Sequence, residues 1–259
     1  MVLSGRVVEL RKALCVVDTD HGRVEAELKG ILKRRDRRPV AGDNVEVRMP
    51  DAQRSRGLVT AVEPRSVLLK RPAVANVDRV LLVTTLTEPY VDRTTIDRYL
   101  VCVEAHGLET VLVFNKLDLL SRAQTRELEE TMGVYRGAGY QVAGVSATER
   151  TGMDRLLQLT GSGISTMAGV SGVGKSTLLN AMLPGRELPT AEVSRKTSRG
   201  VHTTSTTILL RLGDGSYVAD TPGFTAIDLP DIDSRDVLLY FPELKAAIGA
   251  CRFNNCLHQ

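Results

Sequence analysis

The apolar positions of this 259-residue chain change rhythm near residue 77. Up to about residue 65 they fall in runs rich in Val and Leu, broken by Gly, Pro and Asp: Gly5–Asp18, Gly22–Leu28, Asn44–Met49 and Leu58–Val62. Such runs between turn-forming residues predict strands, and no convincing helical period accompanies them. A small antiparallel barrel of the OB type fits their size and number. Beyond Val77 two periods alternate. An apolar strand at Val80–Val83 precedes Ile96, Tyr99, Leu100 and Val103, spaced for one face of a helix. Val111–Phe114, Tyr140–Val145, Ile164–Ala168 and Tyr217–Ala219 read as further strands, with a helical stretch at Leu178–Leu183. Strand and helix alternate to about Tyr240, the pattern of an α/β fold with a parallel sheet.

Length at roughly 150 residues per domain predicts about two domains. A hydrophobic fraction of 42% is enough for packed cores, and 25% charged residues excludes global disorder. The net charge of +3 is unevenly spread. Met1–Arg71 holds 16 Lys and Arg against 10 Asp and Glu, and the remainder holds 18 against 21. The basic first part suits a polyanionic partner, although a solvated basic surface has the same composition. Within it, Lys33-Arg34-Arg35-Asp36-Arg37-Arg38 lies between two predicted strands. This loop either meets phosphates or is simply well hydrated. The N-terminus has no apolar stretch of signal-peptide length, and no run approaches the ~20 residues of a membrane span. Four cysteines in this length are no disulfide framework. A cytoplasmic protein is expected, with no membrane partner.

Gly169-Val-Ser-Gly-Val-Gly174-Lys175-Ser176 fits G-x-x-x-x-G-K-S, between a predicted strand and a predicted helix. Glycines permit a tight loop whose N–H groups point at phosphate oxygens, and the helix directs its positive end there. Lys175 would neutralise the β- and γ-phosphates, and the Ser176 hydroxyl would coordinate Mg²⁺. Asp220-Thr221-Pro222-Gly223 follows the strand Tyr217–Ala219 and supplies the acidic element, with Asp220 reaching the metal and the Gly223 N–H sensing the γ-phosphate.

Asn115-Lys116-Leu117-Asp118 follows the apolar strand Val111–Phe114 and resembles the N-K-x-D signature of GTPases. The Asp118 carboxylate can accept from guanine N1–H and the 2-amino group together. Adenine offers neither donor on that edge, which argues against an ATPase or a small-molecule kinase. Lys116 would pack its stem over the base. Ser146-Ala147 resembles the backbone-donor loop near guanine O6. The predicted GTP contacts are therefore Asn115, Lys116, Asp118, Ser146, Ala147, Gly169, Ser171, Gly172, Val173, Gly174, Lys175, Ser176, Thr177, Asp220 and Gly223. In Ras-like GTPases the phosphate loop comes first and base recognition last. Here the order is permuted, which the same sheet allows because domain termini usually lie close together.

Many GTPases place a Gln directly after D-x-x-G to orient the attacking water. Phe224 stands there in this chain and cannot do so. Slow hydrolysis is expected unless another group is supplied. The Ser/Thr-rich stretch Ser194–Thr207 contains Gly200-Val201-His202-Thr203-Thr204. His202 either positions water or merely packs in its loop. Spacing does not choose between Thr203 and Thr204 as the Mg²⁺ ligand, and Thr204 is carried as that ligand beside Ser176 and Asp220. Lys175, His202, Thr203 and Thr204 form the candidate catalytic set. Cys251, Cys256 and His258 either sit in a free tail or are soft ligands suited to one Zn²⁺; a closed site needs four, so the fourth is expected beyond Gln259. Cys15 and Cys102 lie in apolar settings and read as core.

Taken in order, these residues resemble the circularly permuted ribosome-small-subunit-dependent GTPase A (RsgA, or YjeQ) family. The resemblance rests on Arg71-Pro72, Asn76-Val77-Asp78, Asn115–Asp118, Gly172–Ser176, Gly200–Thr204, Asp220–Phe224 and Cys251–His258. It implies an OB-fold RNA-binding domain over 1–70, a permuted GTPase domain over 71–230 and the start of a zinc-binding helical domain over 231–259. It also implies a GTPase that binds the small ribosomal subunit and its rRNA, acts in late maturation, and hydrolyses GTP to GDP with stimulation by the subunit. A monomer is expected. An RNA-binding module that uses GTP as a switch ligand, with negligible turnover, is the alternative that Phe224 favours. Val201 departs from the family, which usually has Arg there.

Overall fold

The computed structural model describes residues 1–11, 14–34, 38–50, 56–70, 73–183, 207–213, 215–220, 232–233, 235–245, 247–248 and 250. The chain divides into two compact units. The first holds Met1–Asp78, Ser162–Thr166 and Glu192–Phe224, and the second holds Arg79–Gly161, Met167–Ala191 and Thr225–Gln259.

In the first unit five strands close on themselves. β1 (Val2–Arg11) pairs antiparallel with β2 (Leu14–Thr19) and with β4 (Asn44–Arg48). β2 pairs antiparallel with β3 (Gly22–Leu28), β3 runs parallel to β5 (Arg56–Val62), and β5 returns antiparallel to β4. This circuit is the expected OB-type barrel. Alternation turns Val7, Val17, Ala26, Val45, Val47 and Val59 inward, and Leu32 joins them from a 3-10 turn at Gly30–Lys33. Cys15 sits in the same core, where burial pushes its thiol up to about 12, so it packs as a small apolar side chain.

One expectation is corrected here. The single strand predicted over Gly5–Asp18 is a hairpin, paired from Gly5↔Thr19 to Arg11↔Leu14. Its connecting residues Lys12 and Ala13 include none of the Gly, Asn, Asp or Pro that mark turns, so the pattern left no break.

Fully buried Asp43 accepts from Arg65 Nε at 2.7 Å and Nη2 at 2.8 Å, and from the Val40 N–H at 2.7 Å. The same bond raises the Arg65 guanidinium pKa. After the barrel, β6 (Leu68–Lys70) and β7 (Ala73–Ala75) make a short hairpin that the apolar pattern did not signal. Asn76 fastens it, accepting from the Ser66 N–H at 2.9 Å and donating to Gly42 O at 3.0 Å.

β12 (Ile208–Gly213) and β13 (Ser216–Asp220) form a further hairpin in this unit. β13 pairs in parallel with Gly163–Thr166 of β11 (Gly163–Ala168), and β12 meets β1 at Glu9↔Ile208. The Tyr217 hydroxyl donates to the buried carboxylate of Asp18 at 2.9 Å, and Arg6 lies 5.4 Å from the Tyr217 ring centroid.

The second unit is α/β. β8 (Arg79–Thr84), β9 (Glu109–Phe114) and β10 (Gln141–Gly144) pair in parallel. Five of six residues in β8 and in β9 are buried, as continuous apolar runs covered on both faces require. The connecting helices are α1 (Arg93–Ala105), α2 (Arg122–Gly137) and α3 (Met153–Thr160). Asp92 caps α1 by accepting from the Thr95 N–H at 2.7 Å. Ser121 and Gln124 form a capping box on α2. α4 (Lys175–Met182) follows the end of β11, and α5 (Pro242–Lys245) sends Lys245 to within 3.5 Å of Glu104. Among the described residues no helix is long and apolar enough to cross a membrane.

Candidate functional site

The loop Gly169–Gly174 leaves β11 against the end of β8. A Cβ on Gly169 would lie 2.1 Å from Val83 O, and one on Gly174 would lie 2.4 Å from Asn115 Nδ2. Both residues have positive φ, 137° and 94°, so glycine is required twice over at each. No side chain caps the first turn of α4, which begins at Lys175 directly after Gly174. Its N–H groups therefore remain available as donors at the positive end of the helix. The Lys175 ammonium reaches back across the loop to Gly169 O at 2.7 Å and Val170 O at 2.9 Å. Burial lowers its pKa. Ser171, Gly172, Ser176 and Thr177 are exposed, and Val173 is buried beneath them.

The second motif is joined to the first by one side chain. Asn115 is 3% exposed. Its Nδ2 donates to Val173 O at 2.9 Å, and its Oδ1 accepts from the Ala147 N–H at 3.2 Å. Three separate loops are thus held together by a single amide. Lys116 adopts the left-handed conformation, φ 65° and ψ 39°, at a cost of about 1–2 kcal/mol for a non-glycine residue. This turn lets Asn115 stay buried while Asp118, three residues on, is exposed. Lys116 Nζ donates to Glu88 O at 2.6 Å.

Ser146 supports Asp118 from below. Its hydroxyl donates to Asp118 Oδ1 at 2.6 Å and accepts from the Glu149 N–H at 3.0 Å. The carboxylate is thereby oriented with acceptor capacity remaining, the arrangement that a base edge carrying two adjacent N–H groups needs. The phosphate loop, Asn115–Asp118 and Ser146–Ala147 all belong to the second unit.

Asp220 belongs to the first unit, at the end of β13, one residue past the Thr166↔Ala219 pair. Burial raises its carboxyl pKa. Gly200, Val201, His202, Thr203, Thr204, Gly223 and Phe224 lie outside the described residues, as do Arg35–Arg37, Arg71, Pro72, Cys251, Cys256 and His258. Among the described residues no group of three His, Cys, Asp or Glu is placed to hold a metal.

Sequence reasoning missed the segment Thr85–Val91, between β8 and α1. It supplies the carbonyl for Lys116, and Pro89 Cδ would stand 3.3 Å from a Cβ on Gly172. The available signal was positional, because ligands in parallel sheets bind at the carboxyl ends of strands, where this segment begins.

Comparison with known proteins agrees with this geometry. The family described as RsgA GTPase matches residues 62–230. A relative from Moorella thermoacetica named "Small ribosomal subunit biogenesis GTPase RsgA" is 43% identical over 92% of this chain and 80% of its own length. One of the same name from Carboxydothermus hydrogenoformans is 39% identical over 99% of this chain and 87% of its own. Among solved structures, YjeQ from Thermotoga maritima superposes with a TM-score of 0.82 at 36% identity, covering all of this chain and 87% of that one. YloQ, described as a circularly permuted GTPase, gives 0.78 at 26% identity, covering all of this chain and 84% of that one.

Proposed function

Because the chain belongs to the RsgA GTPase family, we propose that it hydrolyses GTP as a factor in small ribosomal subunit biogenesis. The observation that carries this reading is the Asn115 side chain, which bonds the phosphate loop at Val173 and the Ser146–Ala147 loop at once. A phosphate cradle and a candidate base-reading carboxylate whose loops are joined through one amide suit a guanine nucleotide. Asp118 accepts from the base edge, Lys116 covers the ring, and Ala147 stands by the base. The N–H groups of Gly169–Thr177 and the Lys175 ammonium receive the phosphates.

Mg²⁺ accompanies GTP in this reading. Magnesium takes hard oxygen donors, and the exposed Ser176 hydroxyl in the first turn of α4 and the Asp220 carboxylate are of that kind. The metal, when bound, draws charge from the β- and γ-phosphate oxygens. Thr204 is assigned to the same ion, His202 and Thr203 to the hydrolytic centre, and Gly223 to the γ-phosphate. Cys251, Cys256 and His258 are assigned to one Zn²⁺, with residues 231–259 as the start of its domain.

The barrel of residues 1–70 is proposed as the rRNA-contacting domain of a monomeric, cytoplasmic protein that engages the small subunit. Phe224 cannot orient water, so the subunit is expected to complete the hydrolytic site. The test is GTP turnover alone and with purified small subunits, with Lys175→Ala as control. Strong stimulation that Lys175→Ala abolishes supports the reading. Tight GTP binding with no turnover in either condition would replace it with that of a switch-like binding module.

A further inference from the structure

The segment between β8 and α1 touches both halves of the nucleotide site and is itself held from α2. Gln124 Nε2 donates to Leu86 O at 2.9 Å, and the Tyr90 hydroxyl donates to Glu127 Oε1 at 3.0 Å. Between these anchors the segment presents Glu88 O to Lys116 Nζ at 2.6 Å. It also presents the Pro89 ring to Gly172, with 3.3 Å left for a Cβ there. At its start, Thr85 Oγ1 accepts from the Thr87 N–H at 3.1 Å, which fixes the first turn. The segment is therefore a bracket with two fixed ends and two working faces.

We propose that Gln124 is a positioning residue for guanine-nucleotide binding: it holds the Leu86–Tyr90 bracket so that the Glu88 carbonyl fixes the Lys116 side chain and Pro89 limits the phosphate loop at Gly172. The inference rests on the guanine-nucleotide reading above and adds to it a residue that touches neither base nor phosphate. A Lys stem carries several freely rotating bonds, and ordering it on binding costs entropy. The Glu88 carbonyl orders it beforehand. The bracket serves the base and the loop over the phosphates, parts common to GDP and GTP, so its loss weakens both ligands alike. Uniform weakening raises KM and leaves kcat in place.

Gln124 has two ends with separate duties, which makes a clean test. Its Oε1 accepts from the Ser121 N–H at 3.0 Å in the capping box, and only its Nε2 reaches Leu86. Gln124→Glu keeps the capping acceptor and the helix propensity but replaces the donor to the bracket with an oxygen that, ionised, repels Leu86 O. Tyr90→Phe loosens the other anchor at an exposed position. The experiment is titration of N-methylanthraniloyl-GDP into wild type, Gln124→Glu, Gln124→Ala and Tyr90→Phe, with KM and kcat for GTP and thermal melts alongside. Expected for Gln124→Glu is a weakening of GDP of about five-fold, the size of one net hydrogen bond, with the same factor in KM for GTP. Its kcat should match wild type and its melting temperature should fall by no more than a few degrees, and Tyr90→Phe should move the same binding constants in the same direction. Wild-type constants in both Gln124→Glu and Tyr90→Phe would overturn the proposal. So would a loss confined to Gln124→Ala, because it would trace to the helix cap. A wild-type protein that binds no GDP would overturn the parent reading as well, and the same titration shows it.

Discussion

Removing the Asn115 amide should break the candidate site at its centre. In Asn115→Ala the Val173 carbonyl and the Ala147 N–H each lose their partner, and both residues are buried, at 0% and 7% exposure. A stranded buried polar group costs about 1–3 kcal/mol, and water entering the vacated volume recovers part of it, so the two together should cost about 2–4 kcal/mol. If this energy is spent holding the loops in binding geometry, GDP affinity falls by roughly 30- to 10³-fold. Asn115→Asp is the sharper variant. One oxygen still accepts from Ala147, but the other replaces the donor that faced Val173 O, and it sits where a Gly174 Cβ would be 2.4 Å away. Ionised, that oxygen repels the carbonyl; protonated, it can donate to it. GDP affinity of Asn115→Asp should therefore improve as pH falls from 8 to 5.5, whereas Asn115→Ala stays flat. Titration with fluorescent GDP at fixed Mg²⁺ measures both. An Asn115→Ala affinity within twofold of wild type would refute the idea that this amide organises the site.

Three further outcomes follow from other contacts. Asp118→Asn keeps a hydrogen-bonding partner for Ser146 Oγ but gives up two charge-assisted acceptors, so GTP affinity should drop by roughly 10²- to 10⁴-fold with preference moving toward xanthine nucleotides. Competition between GTP and XTP decides it, and unchanged GTP affinity would undo the assignment. Asp220 has its pKa raised by burial, so between the unfolded and folded values the folded chain holds a proton that the unfolded chain has released. Stability is lost as pH rises through the folded value, and the cost is full above it. Asp220→Asn should accordingly melt above wild type at pH 7, with the gain shrinking toward the ordinary carboxylate range, while Mg²⁺-dependent GTP binding declines. Equal melting temperatures of Asp220→Asn and wild type at pH 7 would contradict this. In the barrel, Arg65→Ala removes both guanidinium donors from the fully buried Asp43 carboxylate, leaves it the Val40 N–H, and should cost about 3–5 kcal/mol by urea unfolding. A loss under about 1 kcal/mol would mean that water reaches that carboxylate.

Much of the fold was legible because burial on both faces leaves a strong trace. β8 and β9 are continuous apolar runs, and the pattern located both. The barrel strands alternate, and their number and spacing sufficed for the OB type. Where burial was light or turns lacked marker residues, the trace failed. Between Arg11 and Leu14, the last paired residues of β1 and β2, the sequence carries no Gly, Asn, Asp or Pro, so one long strand was expected. The β6–β7 hairpin has strands of three residues, too short for any period to register. β12 lies between a Ser/Thr-rich stretch and the acidic motif, and only its first residues are apolar enough to stand out.

The site divides along a similar line. Residues whose chemistry requires a particular type at a particular spacing could be nominated from the sequence, as Lys175, Asp118 and Ser146 were, and their nucleotide contacts stand as proposals. Which of them touch could not. Asn115 lies 58 residues from Val173 and 32 from Ala147, and its amide is the joint between them. A hydrogen bond of this kind depends on where strands end, not on the order in which the chain visits them. That independence is what makes the permuted order tolerable: Asn115–Asp118 precedes the phosphate loop in sequence, yet the Asn115 amide still reaches that loop at Val173. It also explains why the Leu86–Tyr90 bracket went unread. Its two working contacts use a backbone carbonyl and a proline ring, groups that carry no motif, and its anchors come from the half-buried Gln124 and Glu127 of α2. Charged and amide residues on a helix surface are ordinarily solvated, so only the fold could distinguish these two from their neighbours.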